Sequence, residues 1–165
     1  MFRKMRRSEQ VLSHTENMEI INRGSHGVLS CYGEDGYPYG IPMNYVYVDG
    51  IIYFHSAKEG HKMDALLKNN RVSFTIVDQD KIVSSEFTSY FRSVIAFGKT
   101  KVVEGEDWNK GMWSLVEKYS AHEPLDMKQK EVNHCNRSNI IAMEVEHLTG
   151  KEAKELVQEK RDRQR

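Results

Sequence analysis

The chain has 165 residues, 24 of them basic and 24 acidic, for a formal net charge of zero. That length fits a single domain, and the charge balance excludes a polyelectrolyte role such as coating nucleic acid, which needs a strongly basic surface. Hydrophobic residues make up 39% and aromatics 10%, enough for a core but lean for a monomer, a shortage that a dimer relieves.

The opening "MFRKMRRSEQ" is basic and lacks the apolar segment of a secretory signal. No apolar run approaches the roughly 18–20 residues needed to cross a bilayer, so a cytoplasmic location without membrane contact is expected. Cys31 and Cys135 form no CxxC pair; neither a zinc ribbon nor a disulfide framework follows, and each is expected as a buried or half-buried thiol.

In chain order, Ser8 is placed to cap a helix running to about Asn22, with Val11, Leu12, Ile20 and Ile21 as apolar positions and Gly24 as the stop. "HGVLSCYG" reads as a strand, "EDG" as a turn, and "YPYGIPMNYVYV" as a second strand. Pro38 and Pro42 put the first half of that strand at an edge or a bulge, because proline donates nothing to a ladder. Asp49-Gly50 is a two-residue hairpin signal and "IIYFH" the returning strand.

"KMDALLKNN" opens an amphipathic helix held by Met63, Leu66 and Leu67. "RVSFTIVD" is a further strand, and "SYFRSVIAFGKTKVVEG" a long one that bends near Gly98. "EDWNKGMWSLVEKYS" is helical, with Trp108, Met112, Leu115, Val116 and Tyr119 on one face. Residues 121–138 read as polar and irregular, with room for a short helical turn, and "NIIAMEVEHL" as a sixth strand. Residues 1–150 thus form one domain and residues 151–165 a charged, helical tail. Few connections are long enough for parallel crossovers, so the expected class is mainly β with short peripheral helices: a six-stranded antiparallel sheet closed into a small barrel.

The stretch "FHSAKEGHKMD" concentrates donors where a strand passes into a helix. A helix N-terminus leaves backbone N–H groups unpaired and carries partial positive charge, which suits an anion such as phosphate. Ser56 adds a hydroxyl, Gly60 allows close backbone approach, and Lys62 adds a full charge. Three or four such bonds, at about 1.5–3 kcal/mol each, hold a phosphate but not a whole ligand tightly, so an apolar, stackable body attached to it is expected. An ordinary strand–helix connection with its polar groups in water accounts for the same residues.

Taken together, "RKMRR" (Arg3–Arg7), "HGVLS" (His26–Ser30), "PMNY" (Pro42–Tyr45), "HSAKEGHK" (His55–Lys62), "SVIAFGK" (Ser93–Lys99) and "TGK" (Thr149–Lys151) resemble the FMN-binding split-barrel superfamily, which includes pyridoxamine 5′-phosphate oxidase. The closer resemblance is to its Nim branch, named for 5-nitroimidazole resistance, over about residues 3–151. The resemblance implies a homodimer of six-stranded split barrels with FMN, or FAD, at the subunit interface. It implies that Ile41, Pro42, Met43 and Asn44 run beside the flavin ring, and that His55, Ser56, Ala57, Gly60, His61 and Lys62 hold the phosphate. Ser93, on the long strand, also reaches the cofactor in such proteins. The chain departs from pyridoxamine 5′-phosphate oxidase itself. The arginine of that enzyme's flavin strand has no counterpart in Tyr39–Asn44, and its phosphate-side Arg-Lys pair becomes His61-Lys62. The arginine-bearing C-terminal segment that grips the vitamin phosphate is missing too, which argues against oxidation of vitamin B6.

No HExxH, CxxC or two-His-one-carboxylate spacing supports a metal site. His134 and His147 keep haem binding on the same barrel open as an alternative. No nucleophile motif surrounds Ser30 or Ser93, Arg92 is expected to face solvent, and no catalytic residue is assigned. The expected activity is an FMN-dependent reductase that takes electrons from a reduced nicotinamide or another donor and passes them to a small, electron-poor acceptor such as a nitroaromatic. A flavin-binding or sensing module without turnover is the other reading.

Overall fold

The computed structural model describes residues 2–163 and 165. Met1 and Gln164, which fall within the expected domain and tail, lie outside the described residues. Seven strands, β1 (His26–Tyr32), β2 (Pro38–Asn44), β3 (Val46–Val48), β4 (Ile51–Ser56), β5 (Arg71–Val83), β6 (Thr88–Val103) and β7 (Asn139–Glu152), form one antiparallel sheet in the order β2-β1-β5-β6-β7-β4-β3. Five helices accompany them: α1 (His14–Arg23), α2 (His61–Lys68), α3 (Gly105–Ser120), α4 (Leu125–His134) and α5 (Lys154–Arg163). Among the described residues, no helix is long and apolar enough to cross a membrane.

The seventh strand corrects the expectation of six. The run read as one strand breaks at Tyr45, which is fully buried and whose backbone N–H and C=O bond to the Tyr119 hydroxyl at 2.9 and 2.7 Å instead of to a neighbouring strand. The Tyr45 hydroxyl in turn donates to Ile21 O at 2.6 Å. β2 and β3 are the two edges of the sheet, yet only Tyr45 separates them in the chain. The sheet therefore curls back on itself at this corner without hydrogen bonds closing it, which corrects the closed barrel.

Pro38 and Pro42 do lie on an edge strand, since among the described residues β2 pairs only with β1. Asp49 and Gly50 join β3 to β4 with φ of 50° and 86°, the double positive that a two-residue hairpin demands. The bend near Gly98 is a register shift between Phe97 and Gly98, where a Cβ would stand 2.0 Å from Glu144 O. A second bulge throws Asp78 out of the β5–β6 ladder, where Arg23 of α1 grips it with two bonds of 2.7 Å.

Ser13, not Ser8, caps α1. Its side chain accepts from Glu16 N while the Glu16 carboxylate accepts from Ser13 N, and Ser8–Gln10 is a separate 3₁₀ turn. The segment 121–138 is more ordered than its polarity suggested, because α4 fills most of it. α4 buries little beyond Val132 and the stem of Lys128, whose ammonium donates to Glu117 and to Ala121 O.

Two apolar clusters result. One fills the interior of the curled sheet around Leu29, Phe54, Phe74, Val94 and Met143, with Ile20 and Ile21 of α1 as its plug. The other joins α3 and α4 to β3, β4 and β7 through Tyr53, Met112, Leu115, Val132 and Ile140. Gly111 lets α3 approach closely, since a Cβ there would lie 2.7 Å from both Tyr53 and Ile140. The α3–α4 layer covers one side of the sheet beside the ends of β2 and β4.

Candidate functional site

Beside that layer lies a cavity of about 530 Å³, open to solvent. One wall is Pro42, Met43 and Asn44 of β2, and the floor carries His55 of β4 and Lys62 of α2. Opposite stand Met112, Leu115, Val116 and Tyr119 of α3, with Glu131 and Cys135 at the end of α4. The volume falls within the roughly 300–1,000 Å³ of small-molecule sites, and apolar and polar groups share its lining about equally.

Strand alternation sets the floor. His55 projects outward while Ser56 turns inward and is buried, so only His55 borders the cavity. Gly60, at a φ of 119° that other residues rarely adopt, ends the turn and starts α2, and Met63 N and Asp64 N return to its carbonyl. Lys62 follows on the first turn of the helix. Its ammonium contacts the Met43 sulfur at 3.4 Å, and among the described residues it has no carboxylate partner. Burial pushes its pKa down. Burial first, and then the Lys62 charge, push the His55 imidazole below its ordinary value against a smaller upward pull from Glu131. Both effects favour the neutral ring, which donates at one nitrogen and accepts at the other.

The other expected site residues fall around this core rather than in it. Ile41 is half-buried on β2 and packs toward the interior. The Ser56 hydroxyl donates to Ala57 O at 3.0 Å and lies 3.5 Å from the Met63 sulfur, turned away from the cavity. Ala57 and Gly60 are exposed on the turn. His61 sits edge-on to Tyr39 near the start of β2, with ring centroids 4.6 Å apart, and neither residue lines the cavity. Ser93 stands in register with Val77 and Lys151, whereas Val103, ten residues along β6, stands in register with Ile140 beside His55. Ten residues of strand span roughly 33 Å, so within one chain Ser93 does not meet the cavity.

The sequence reading missed the α3–α4 wall. The spacing of α3 predicts Tyr119 on a buried face, yet its hydroxyl touches Ser25 O at 2.6 Å as well as both backbone groups of Tyr45. Glu131 and Cys135 lie one helical turn apart, with the thiol donating to the carboxylate at 3.4 Å. Burial, reinforced by Glu131, raises the thiol pKa, so Cys135 stays protonated near neutrality. An i, i+4 reading of residues 121–138 as a helix would have paired them. Neither candidate haem ligand borders the cavity: His134 is exposed at the end of α4, and His147 is stacked on Phe2 with centroids 4.6 Å apart.

Comparisons with known proteins agree with this architecture. Among solved structures, a candidate 5-nitroimidazole antibiotic resistance protein from Bacteroides thetaiotaomicron superposes with a TM-score of 0.72 at 23% identity, over 86% of this chain and 85% of that one. A conserved hypothetical protein from Mycobacterium tuberculosis gives 0.77 at 23% identity, over 90% of each chain. An FAD-binding protein from Mesorhizobium loti gives 0.61 at 24% identity, over 87% of this chain and 97% of that one. At such identities the likeness establishes the fold. No curated protein matches the sequence directly. Residues 13–152 match the family model for pyridoxamine 5′-phosphate oxidase, a segment running from the cap of α1 to the last residue of β7. The chain belongs to the pyridoxamine 5′-phosphate oxidase family.

Proposed function

We propose that the cavity holds FMN and that the protein is a flavin-dependent reductase of a small, electron-poor acceptor such as a nitroaromatic. The observation that carries this reading is Lys62. A half-buried ammonium with no acidic partner among the described residues, on the first turn of a helix, calls for an anion, and its present contact is a thioether. The adjoining apolar walls give that anion a flat, stackable body to belong to. The residues present therefore fit a flavin mononucleotide.

In this reading Lys62 and the first turn of α2 hold the phosphate, and neutral His55 offers it one hydrogen bond. Pro42, Met43 and Asn44 line the ring, their edge strand leaving backbone groups without a further strand partner. Ile41 orients that strand from behind, while Ser56, Ala57 and Gly60 shape the turn and His61 braces it against Tyr39. The bound flavin would supply the electron transfer itself. The protein's part is to hold it, exclude water with Met112, Leu115 and Val116, and keep proton-bearing groups at the rim, where Cys135 is a thiol and Glu131 its acceptor.

Ser93 enters this reading through a second copy of the chain. It shares the outer face of the sheet with Val28, Val77 and Ile95, of which Val77 is 64% exposed, and a homodimer burying that face would bring Ser93 to the partner's cofactor. The test is spectroscopic. Protein loaded with FMN should bleach anaerobically with NADH or NADPH and recover its colour on adding a nitroimidazole. A bound flavin that neither donor reduces would leave a flavin-binding module in place of a reductase.

A further inference from the structure

On the other side of the turn that carries Ser56 and Gly60 lies a second groove, of about 440 Å³. Asn139, in register with Ser56, and Lys58, from the turn itself, both line it. Its far wall is the first turn of α3, with Glu104, Trp108 and Asn109, and Asn136 closes it from the segment after α4. The Trp108 indole donates to Ser138 O at 3.0 Å, which fixes the plane of the ring, while its apolar surface shares the groove with Val103.

These groups are a set of complementary kinds. Lys58 is a cation without a carboxylate partner among the described residues, suited to a phosphate. Glu104 is a carboxylate placed to accept from a ribose hydroxyl. Asn109 and Asn136 carry amides that can donate to and accept from the edge of a purine, and Trp108 offers the base an aromatic flank. Lys58 is three positions along the chain from His55, which the backbone spans in at most about 11 Å, so the groove and the flavin cavity meet across a single turn.

We propose that this groove binds an adenylate, the adenosine-phosphate half of a dinucleotide. Two sources share that chemistry: FAD whose flavin half occupies the cavity, or the reduced nicotinamide that supplies the electrons. The FAD source rests on the flavin reading above; the adenylate site does not, because it can be measured without flavin.

The experiment titrates AMP alone into the purified full-length protein by calorimetry, then FMN, FAD and NADPH with and without AMP. AMP should bind, inorganic pyrophosphate should fail to displace it, and Lys58→Ala with Asn136→Ala should weaken it at least about tenfold, or ~1.4 kcal/mol. The same double variant should bind FMN as the parent does. Tighter binding of FAD than FMN, lost in the presence of AMP, assigns the groove to FAD; competition of AMP with NADPH alone assigns it to the donor. Absence of AMP binding at millimolar concentration, or full retention by the double variant, overturns the proposal. Loss of FMN binding by the parent protein would instead overturn the flavin reading, and the AMP titration is unaffected by it.

Discussion

The ammonium of Lys62 lies 3.4 Å from the sulfur of Met43, a half-buried charge set against one of the weaker acceptors in a protein. An anion in the cavity would replace a poor contact by charge-assisted bonds of about 1.5–3 kcal/mol. Lys62→Ala should therefore raise the Kd for FMN about 10- to 100-fold, measured by quenching of flavin fluorescence, while thermal unfolding changes little. Because the Ser56 hydroxyl faces Ala57 O and Met63, Ser56→Ala should add much less.

Tyr119 pins the corner at which the sheet turns from β2 to β3. Tyr119→Phe removes the acceptor of Tyr45 N, bonded at 2.9 Å, and leaves a backbone donor at a fully buried residue unpaired. The expected loss is about 1–3 kcal/mol, seen as a drop in Tm of about 2–4 °C per kcal/mol. FMN affinity should fall with it, since Asn44 on the cavity wall is tied to the same Ser25 carbonyl at 2.9 Å.

Gly111→Ala sets two effects against each other. Alanine favours a helix over glycine by about 1 kcal/mol, but here its methyl would stand 2.7 Å from Tyr53 and Ile140. Both neighbours are buried to within 1% and cannot give way, so overpacking wins, with a net destabilisation of about 1–2 kcal/mol in chemical denaturation.

The Lys118 ammonium rests 3.9 Å above the Tyr45 ring with no hydrogen-bond partner among the described residues, and burial pushes its pKa down to about 8. Between about 8 and the ordinary 10.5 the unfolded chain binds the extra proton, so stability rises with pH across that window. Lys118→Met should abolish the rise, and the difference between the two stability–pH curves isolates it from the tyrosines that titrate nearby.

The opposite case is Glu16. Burial raises its pKa, but bonds from Lys160 and Ser13 together outweigh that and hold the carboxyl at about 2. Its stabilisation is present above the ordinary value of 4.5 and is lost as pH falls toward 2. Glu16→Gln should flatten the acid limb of the stability curve. The effect should be modest, because the Glu16 and Lys160 side chains are 34% and 36% exposed.

Much of this fold could be read where local chemistry and tertiary demand coincide. Asp49-Gly50 needed its turn, Gly98 its bend, and Pro42 its edge, and each residue type permits little else. Tyr45 could not be read as a break, because what ends β2 there is a hydroxyl 74 residues later in the chain. Ser8 and Ser13 are equivalent as caps until the glutamate three residues beyond Ser13 is weighed. α4 was obscured because its packing relies on one valine and the stem of a lysine. For the site, β2 and the start of α2 were legible as motifs, whereas the α3–α4 wall exists only once the second apolar cluster docks those helices on the sheet. Ser93 lies far from the rest within one chain.

The visible absorption spectrum of the freshly purified protein, followed by titration of the stripped protein with FMN, tests the central claim most directly. Flavin bands, about one FMN per chain on titration, and release of the colour by Lys62→Ala are the predicted result. A colourless protein that takes up no FMN, or one showing a Soret band and no flavin, would contradict the account.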